Sequence, residues 1–358
     1  MPDPRLKTYA PQAVRHLAAA GLSLMQRQET VAGRRGNVPP WPGSDDVDFH
    51  GTLSAIWVWA RHQRLSGASR FSGPRNAGWA FVETNAKRFI PDAIDNDAGD
   101  EAAYDCALAL IAIAAERALG PVDAKRQAIG DRAARVLTNY LGALEDLSGR
   151  EFRDPGFLSF ALADYARAID DRGLLAGARK FVDRSFGMKT LAPFVGEPSA
   201  SGGLFDFSST TATRVIAVIA AEGATPFVGA WLRERVGDSV PAGFSPRRLD
   251  ENTWNACVAW ALGKAYVVST DPVFMQAYSD VMDELERRDS DRDGALGRDG
   301  TVKAPETATT FYYALAIDSL VTPEALGAVV PESGGGSRPP PLPGVRNGTG
   351  GRGGRQSV

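Results

Sequence analysis

Carboxylates gather at six places along this 358-residue chain in a pattern suited to acid–base chemistry. Asp45, Asp46 and Asp48 form the first group and Asp100, Glu101 and Asp105 the second; Asp154, Asp206, Asp250 with Glu251, and Glu306 follow. The leading acids are spaced by about 44 to 56 residues and each stands just ahead of a long apolar run, which marks an internal helical repeat. Cleaving a glycoside needs two carboxyl groups facing a sugar, one protonated and one ionised, roughly 5 to 9.5 Å apart. A single acid before a helix caps free amides and complements the helix dipole. One helix needs only one cap, however, so clustered acids point beyond capping. Asp48 and Glu251 are the expected acid–base pair, with Asp105 and Asp206 as further catalytic candidates. His50, two residues after Asp48, can serve as a pH-responsive base or as a donor to a carboxylate substrate.

Aromatic side chains near these acids suit the apolar face of a sugar and stabilise a carbocation equally well. Phe49 and Trp254 lie beside the first and fifth groups, and with Tyr104 they are the expected aromatic contacts to substrate. Glu251 and Asn255 are four residues apart and share a helix face, so Asn255 can hold a hydroxyl beside the acid. Glu306 completes the expected substrate contacts, whereas Trp57, Trp59 and Trp260 lie deeper in their apolar runs and read as core.

A second kind of chemistry is written at Asp289-Ser290-Asp291-Arg292-Asp293-Gly294-Ala295-Leu296. Oxygen ligands at positions one, three and five, glycine at six and an aliphatic at eight match a calcium loop. Asp289, Asp291 and Asp293 are the expected ligands, with Asp299 as a further contributor, because Gly300 occupies the place of the usual bidentate glutamate. A bound calcium would pin the loop. No zinc set, phosphate loop, dinucleotide fingerprint or serine-hydrolase elbow stands in a matching context, so neither a nucleotide nor an organic cofactor is expected.

These groups are positioned by alternating helices. Predicted amphipathic helices span 11–28, 75–89, 122–147, 174–185, 226–236 and 272–288, while more apolar ones span 47–64, 100–119, 155–169, a run after Asp206, 250–268 and 305–320. Pro155 directly after Asp154 is a strong start signal, since its missing amide would be unpaired there. No alternating β-branched pattern competes. Six such pairs can close into a ring with the apolar helices inside and the acids at one mouth. The expected fold is thus all-α, an (α/α)6 barrel or toroid of six inner and six outer helices over residues 1–330. A Gly/Pro/Arg-rich tail over 331–358 is expected to be disordered, being too poor in apolar residues to offset its ordering entropy.

The segment Ala259-Trp260-Ala261-Leu262-Gly263-Lys264-Ala265-Tyr266, followed by Ser269-Thr270-Asp271-Pro272-Val273-Phe274, resembles the hairpins of the six-hairpin glycosidase-like superfamily. The same cadence recurs in Ala161-Leu162-Ala163-Asp164-Tyr165-Ala166-Arg167-Ala168 and in Ala60-Arg61-His62-Gln63-Arg64-Leu65-Ser66-Gly67. The resemblance covers the chain to about residue 325 and implies a carbohydrate-active enzyme, glycoside hydrolase or polysaccharide lyase, with its cleft at the amino-terminal mouth of the inner helices. For a lyase, His50 would be the base and Arg153 would neutralise a uronate carboxylate. The chain is also similar to terpenoid cyclase and prenyltransferase toroids: Asp46-Val47-Asp48 matches three positions of their Asp-x-Asp-Asp motif, and Phe49 replaces the fourth. A non-catalytic glycan- or protein-binding toroid is the third alternative.

Composition narrows the partners. Apolar residues make up 44% and charged residues 23%, and a net charge of -3 gives no drive toward nucleic acid. The expected partner is a small molecule or oligosaccharide, and the oligomeric state is open. Cys106 and Cys257, the two cysteines, sit inside apolar runs and exclude a disulfide scaffold. Without a signal sequence or an apolar run of about 18 residues, the sequence as it stands predicts a cytoplasmic protein with no membrane insertion, or a secreted one if its start has been trimmed.

Overall fold

Capping chemistry sets several helix ends. A computed structural model describes residues 9–94, 100–144, 155–186, 209–236, 251–299 and 304–321. Among them, twelve helices run in order: α1 (Tyr9–Arg27), α2 (Phe49–Ser66), α3 (Ser72–Phe89), α4 (Asp100–Arg117), α5 (Ala124–Ala143), α6 (Pro155–Ala168), α7 (Arg172–Phe186), α8 (Ser209–Glu222), α9 (Pro226–Trp231), α10 (Asn252–Ser269), α11 (Pro272–Arg288) and α12 (Thr307–Asp318). A π-helical turn, Leu232–Val236, continues α9. The protein is all-α. The isolated bridge found between described residues pairs Glu251 with Asp299.

Asp123 caps α5 by accepting from the amides of Lys125 and Arg126, and Thr225 and Asp271 cap α9 and α11, each followed by proline at the first helical position. α2 ends at Gly67, whose φ of 72° lets its amide reach Gln63 O.

Composition separates the helices into two kinds. The even-numbered ones are apolar almost all round, as in Cys106 to Ala114 of α4 and Ala256 to Leu262 of α10, and nearly all these residues are buried. Helices with no polar face must be surrounded by protein. The contacts follow: α2 packs on α4, α4 on α6, α6 on α8, α8 on α10, α10 on α12, and α12 returns to α2. The odd-numbered helices lie against this cycle, α3 on α2, α5 on α4, α7 on α6 and α8, α11 on α10, and α1 on both α2 and α12. Close approach is required where α6 meets α8: a Cβ on Gly156 would lie 2.7 Å from Thr213 Oγ1. No helix among the described residues is long and apolar enough to cross a membrane.

Candidate functional site

Helix α2 begins at Asp48, whose Oδ1 accepts from the Gly51 amide at 2.7 Å while its own amide is held by Asn37 Oδ1. One turn into α4, Asp105 lies almost wholly buried. Burial pushes the Asp105 carboxyl from the ordinary carboxylate range to about 8, and the nearby charges of Asp48 and Glu101 push the same way. Asp48 rises to about 6, mainly through burial; the Gly51 hydrogen bond opposes the rise, and the charges of Asp46, Glu306 and Glu101 add to it. The amino-terminal ends of α2, α4 and α12 therefore bring Asp48, Glu101, Asp105 and Glu306 into one electrostatic neighbourhood. Two carboxyl groups with separated titrations offer a proton donor and an acceptor near neutral pH.

Aromatic rings lie beside the acids. His50, half-buried, has its ring centroid 6.4 Å from that of Tyr104, which lies 5.7 Å from Phe157, and Phe157 lies 6.0 Å from Tyr312. Burial lowers the His50 imidazole to about 4, so it is neutral at pH 7 and can accept or donate a hydrogen bond without bringing charge.

Other expected residues are placed differently. Glu251 is engaged by Arg298 at 3.5 Å, whereas the acids acting on Asp48 are Asp46, Glu306 and Glu101. Glu251 and Glu306 occupy N-cap positions without capping a backbone amide; Glu306 instead accepts from Thr309 Oγ1 at 2.5 Å. Phe49 is fully buried and stacks on Phe89 with centroids 4.9 Å apart, so its ring belongs to the core. Trp254 is 38% exposed, free to meet a ligand, while Asn255 on the next position is fully buried. Asp206, Asp154, Asp250, Arg153 and Gly300, and the tail over 331–358, lie outside the described residues.

In the Asp-rich loop, Asp289, Asp291 and Asp293 present ligand oxygens within 4.8 Å of one another, close enough to share one cation at roughly 2.3 to 2.6 Å. Asp289 is 6% exposed and its Oδ1 has no hydrogen-bond partner. Its carboxyl rises to about 7 through burial and the charges of Asp293 and Asp291. Asp299 is not part of this group; it forms the bridge to Glu251.

A cavity of about 500 Å³ lies at the opposite end of the even-numbered helices and was not anticipated from the sequence. All six contribute residues from their carboxyl-terminal halves, so these ends converge there. Trp57, Phe160 and Trp260 form aromatic wall, with the Phe160 and Trp260 rings edge-to-face at 4.9 Å. Into it face Arg61, Asp164, Lys264 and Asp318, of which Arg61 and Asp318 form a direct ion pair at 2.7 Å. The available signal was one or two charges in the carboxyl-terminal half of each of four otherwise apolar runs.

Comparison with protein-family models, curated proteins and solved structures finds no match to this chain.

Proposed function

We propose that the protein is a carbohydrate-active enzyme of glycoside hydrolase or polysaccharide lyase type, built as an (α/α)6 toroid and working at the amino-terminal mouth of its even-numbered helices. The cyclic order of helix contacts supports the toroid. The observation that carries the chemistry is the Asp48 and Asp105 pair, with titrations near about 6 and about 8. At pH 7 Asp105 holds a proton to give to a leaving group, and Asp48 is largely ionised to accept one or to face developing positive charge. Half-buried Tyr104 supplies a ring face nearby. Glu251, held by Arg298, moves from the acid–base pair to the substrate-contact role, beside exposed Trp254. The terpenoid reading is weaker because the aromatic cavity lies at the other end of the helices from Asp48.

The test is incubation with a panel of neutral and uronic oligosaccharides, following reducing ends and the ultraviolet absorbance of unsaturated uronides. Reducing ends without absorbance identify a hydrolase, and both together a lyase. Turnover should be bell-shaped in pH with limbs near about 6 and about 8 and be lost in Asp105→Asn. Turnover unchanged in both Asp105→Asn and Asp48→Asn would refute the assignment.

Calcium is assigned to Asp289, Asp291 and Asp293 as a structural ion. Supporting this are the converging oxygens, the partnerless Asp289 Oδ1, and the position of the loop: Leu296 O accepts from the Glu306 amide, so fixing the loop fixes the start of α12. Calcium should raise the unfolding temperature, and Asp289→Asn should abolish the rise. An equal rise in the variant would place the ion elsewhere.

A further inference from the structure

Of the six charged side chains that line the cavity at the carboxyl ends of the even-numbered helices, two half-buried ones are left without direct partners among the described residues. Arg61 and Asp318 satisfy one another at 2.7 Å. Lys264 and Asp164 do not: among the described residues neither makes a direct ion pair or hydrogen bond, although each is half-buried and feels the other's field. A buried charge is costly unless something pairs with it. Burial accordingly lowers the Lys264 ammonium from its ordinary range and raises the Asp164 carboxyl to about 6, with opposite charges nearby only partly compensating.

Helix-end electrostatics give neither residue a reason to be there. Asp164 sits in the last turns of α6, where the helix dipole disfavours an anion, and Lys264 stands more than a turn before the end of α10, beyond the reach of its terminal carbonyls. Arg167 already serves the end of α8, donating to Ala220 O and Ala221 O. Lys264 and Asp164 instead share one property: both face the same space of about 500 Å³.

What would fill that space follows from the donors and acceptors. An ammonium has three donors and no acceptor, so Lys264 calls for an anionic oxygen; an ionised carboxylate only accepts, so Asp164 calls for a hydroxyl. Trp57, Phe160 and Trp260 call for an apolar ring face. The volume lies within the range of roughly 300 to 1,000 Å³ usual for small-ligand sites. We propose that this cavity binds a small hydroxylated carboxylate of monosaccharide size, its carboxylate on Lys264, a hydroxyl on Asp164 and its ring against the aromatic wall. This site is separate from the acid pair at the mouth and does not depend on the activity assigned there.

Calorimetric titration of the full chain with D-glucuronate, D-glucose and benzoate tests it. Glucuronate should bind at least tenfold more tightly than glucose, which lacks the carboxylate, and than benzoate, which lacks the hydroxyls. Lys264→Met should weaken glucuronate at least tenfold and Asp164→Asn less, while Asp105→Asn should leave it unchanged. Ala115→Leu, which narrows the cavity without altering charge, should also weaken it and serves if the charge variants misfold. No glucuronate binding, as expected if water alone bridges Lys264 and Asp164, overturns the proposal. So does binding that survives both Lys264→Met and Ala115→Leu, and loss in Asp105→Asn alone would move the ligand to the mouth.

Discussion

The same six helices treat charge in opposite ways at their two ends. At the amino end the charges that act most on Asp48 and Asp105 among the described residues belong to other acids, and the two carboxyls rise to about 6 and about 8. At the carboxyl end signs are mixed: Arg61 pairs with Asp318, and Lys264 faces Asp164 across a cavity. Like charges crowded together make proton affinity the adjustable quantity, which suits proton transfer. Opposite charges held around a space fix polarity instead, which suits recognition. Helix dipoles sharpen the contrast, since the amino ends tolerate acids that the carboxyl ends disfavour.

The largest effect that can break this comparison is catalytic. Asp105→Asn should lower turnover on a responsive glycan by roughly 10² to 10⁴-fold, whereas Asp318→Asn should leave the chemical step nearly unchanged. A loss of turnover from Asp318→Asn alone, with Asp105→Asn fully active, would exchange the roles of the two ends.

Stability should respond in the reverse order. Asp318→Ala strands the Arg61 guanidinium, whose side chain is 17% exposed, and removing one partner of a buried pair costs about 3 kcal/mol or more. Denaturant unfolding measures it; a cost near zero would show that water already screens the pair.

Asp105→Asn should gain stability, and the gain should depend on pH. The carboxyl titrates near ~4 in the unfolded chain and at about 8 in the folded one. Between these values the folded state holds a proton that the unfolded state has released, so stability falls as pH rises through that window and stays reduced above it. At pH 8 to 9 the variant should exceed the parent by on the order of 2 to 5 kcal/mol, with little difference near pH 4. Unfolding midpoints across pH test this, and parallel curves would mean that Asp105 is not held against its ionisation. A residue that costs stability and is needed for turnover is the pattern expected of a functional group rather than a packing one.

Much of the helical frame was legible in the chain because its punctuation is local. The expected helix at 272–288 coincides with α11, since Asp271, Pro272 and the end of the amphipathic pattern all act within a turn. Likewise Asp48 and Asp105 were visible as candidates. Their partnership was not, because it depends on how α2 and α4 rotate against one another. Glu251 shows the same limit: its engagement by Arg298 joins residues 47 positions apart. Phe49 looked available beside the acids, but its ring turns inward onto Phe89. The cavity left a faint mark, one or two charges in each of four apolar runs, and those charges stand at the opposite helix ends from the clustered acids that dominate the sequence. Asp164 and Lys264 acquire meaning when α6 and α10 bring them to one space.

The smallest effect separates capping from chemistry at Asp48. Its Oδ1 accepts from the Gly51 amide, and losing an N-cap costs about 1 kcal/mol. Asp48→Ala removes both the cap and the charge; Asp48→Asn keeps an acceptor oxygen and removes the charge. At pH 8, where Asp48 is ionised beside Glu101 and Glu306, Asp48→Asn should be neutral or slightly stabilising while Asp48→Ala remains destabilised. Unfolding of the two variants at pH 5 and pH 8 decides between the roles. If both lose the same stability at both values, the charge contributes nothing beyond the cap, and the contrast between the two ends rests on Asp105 alone.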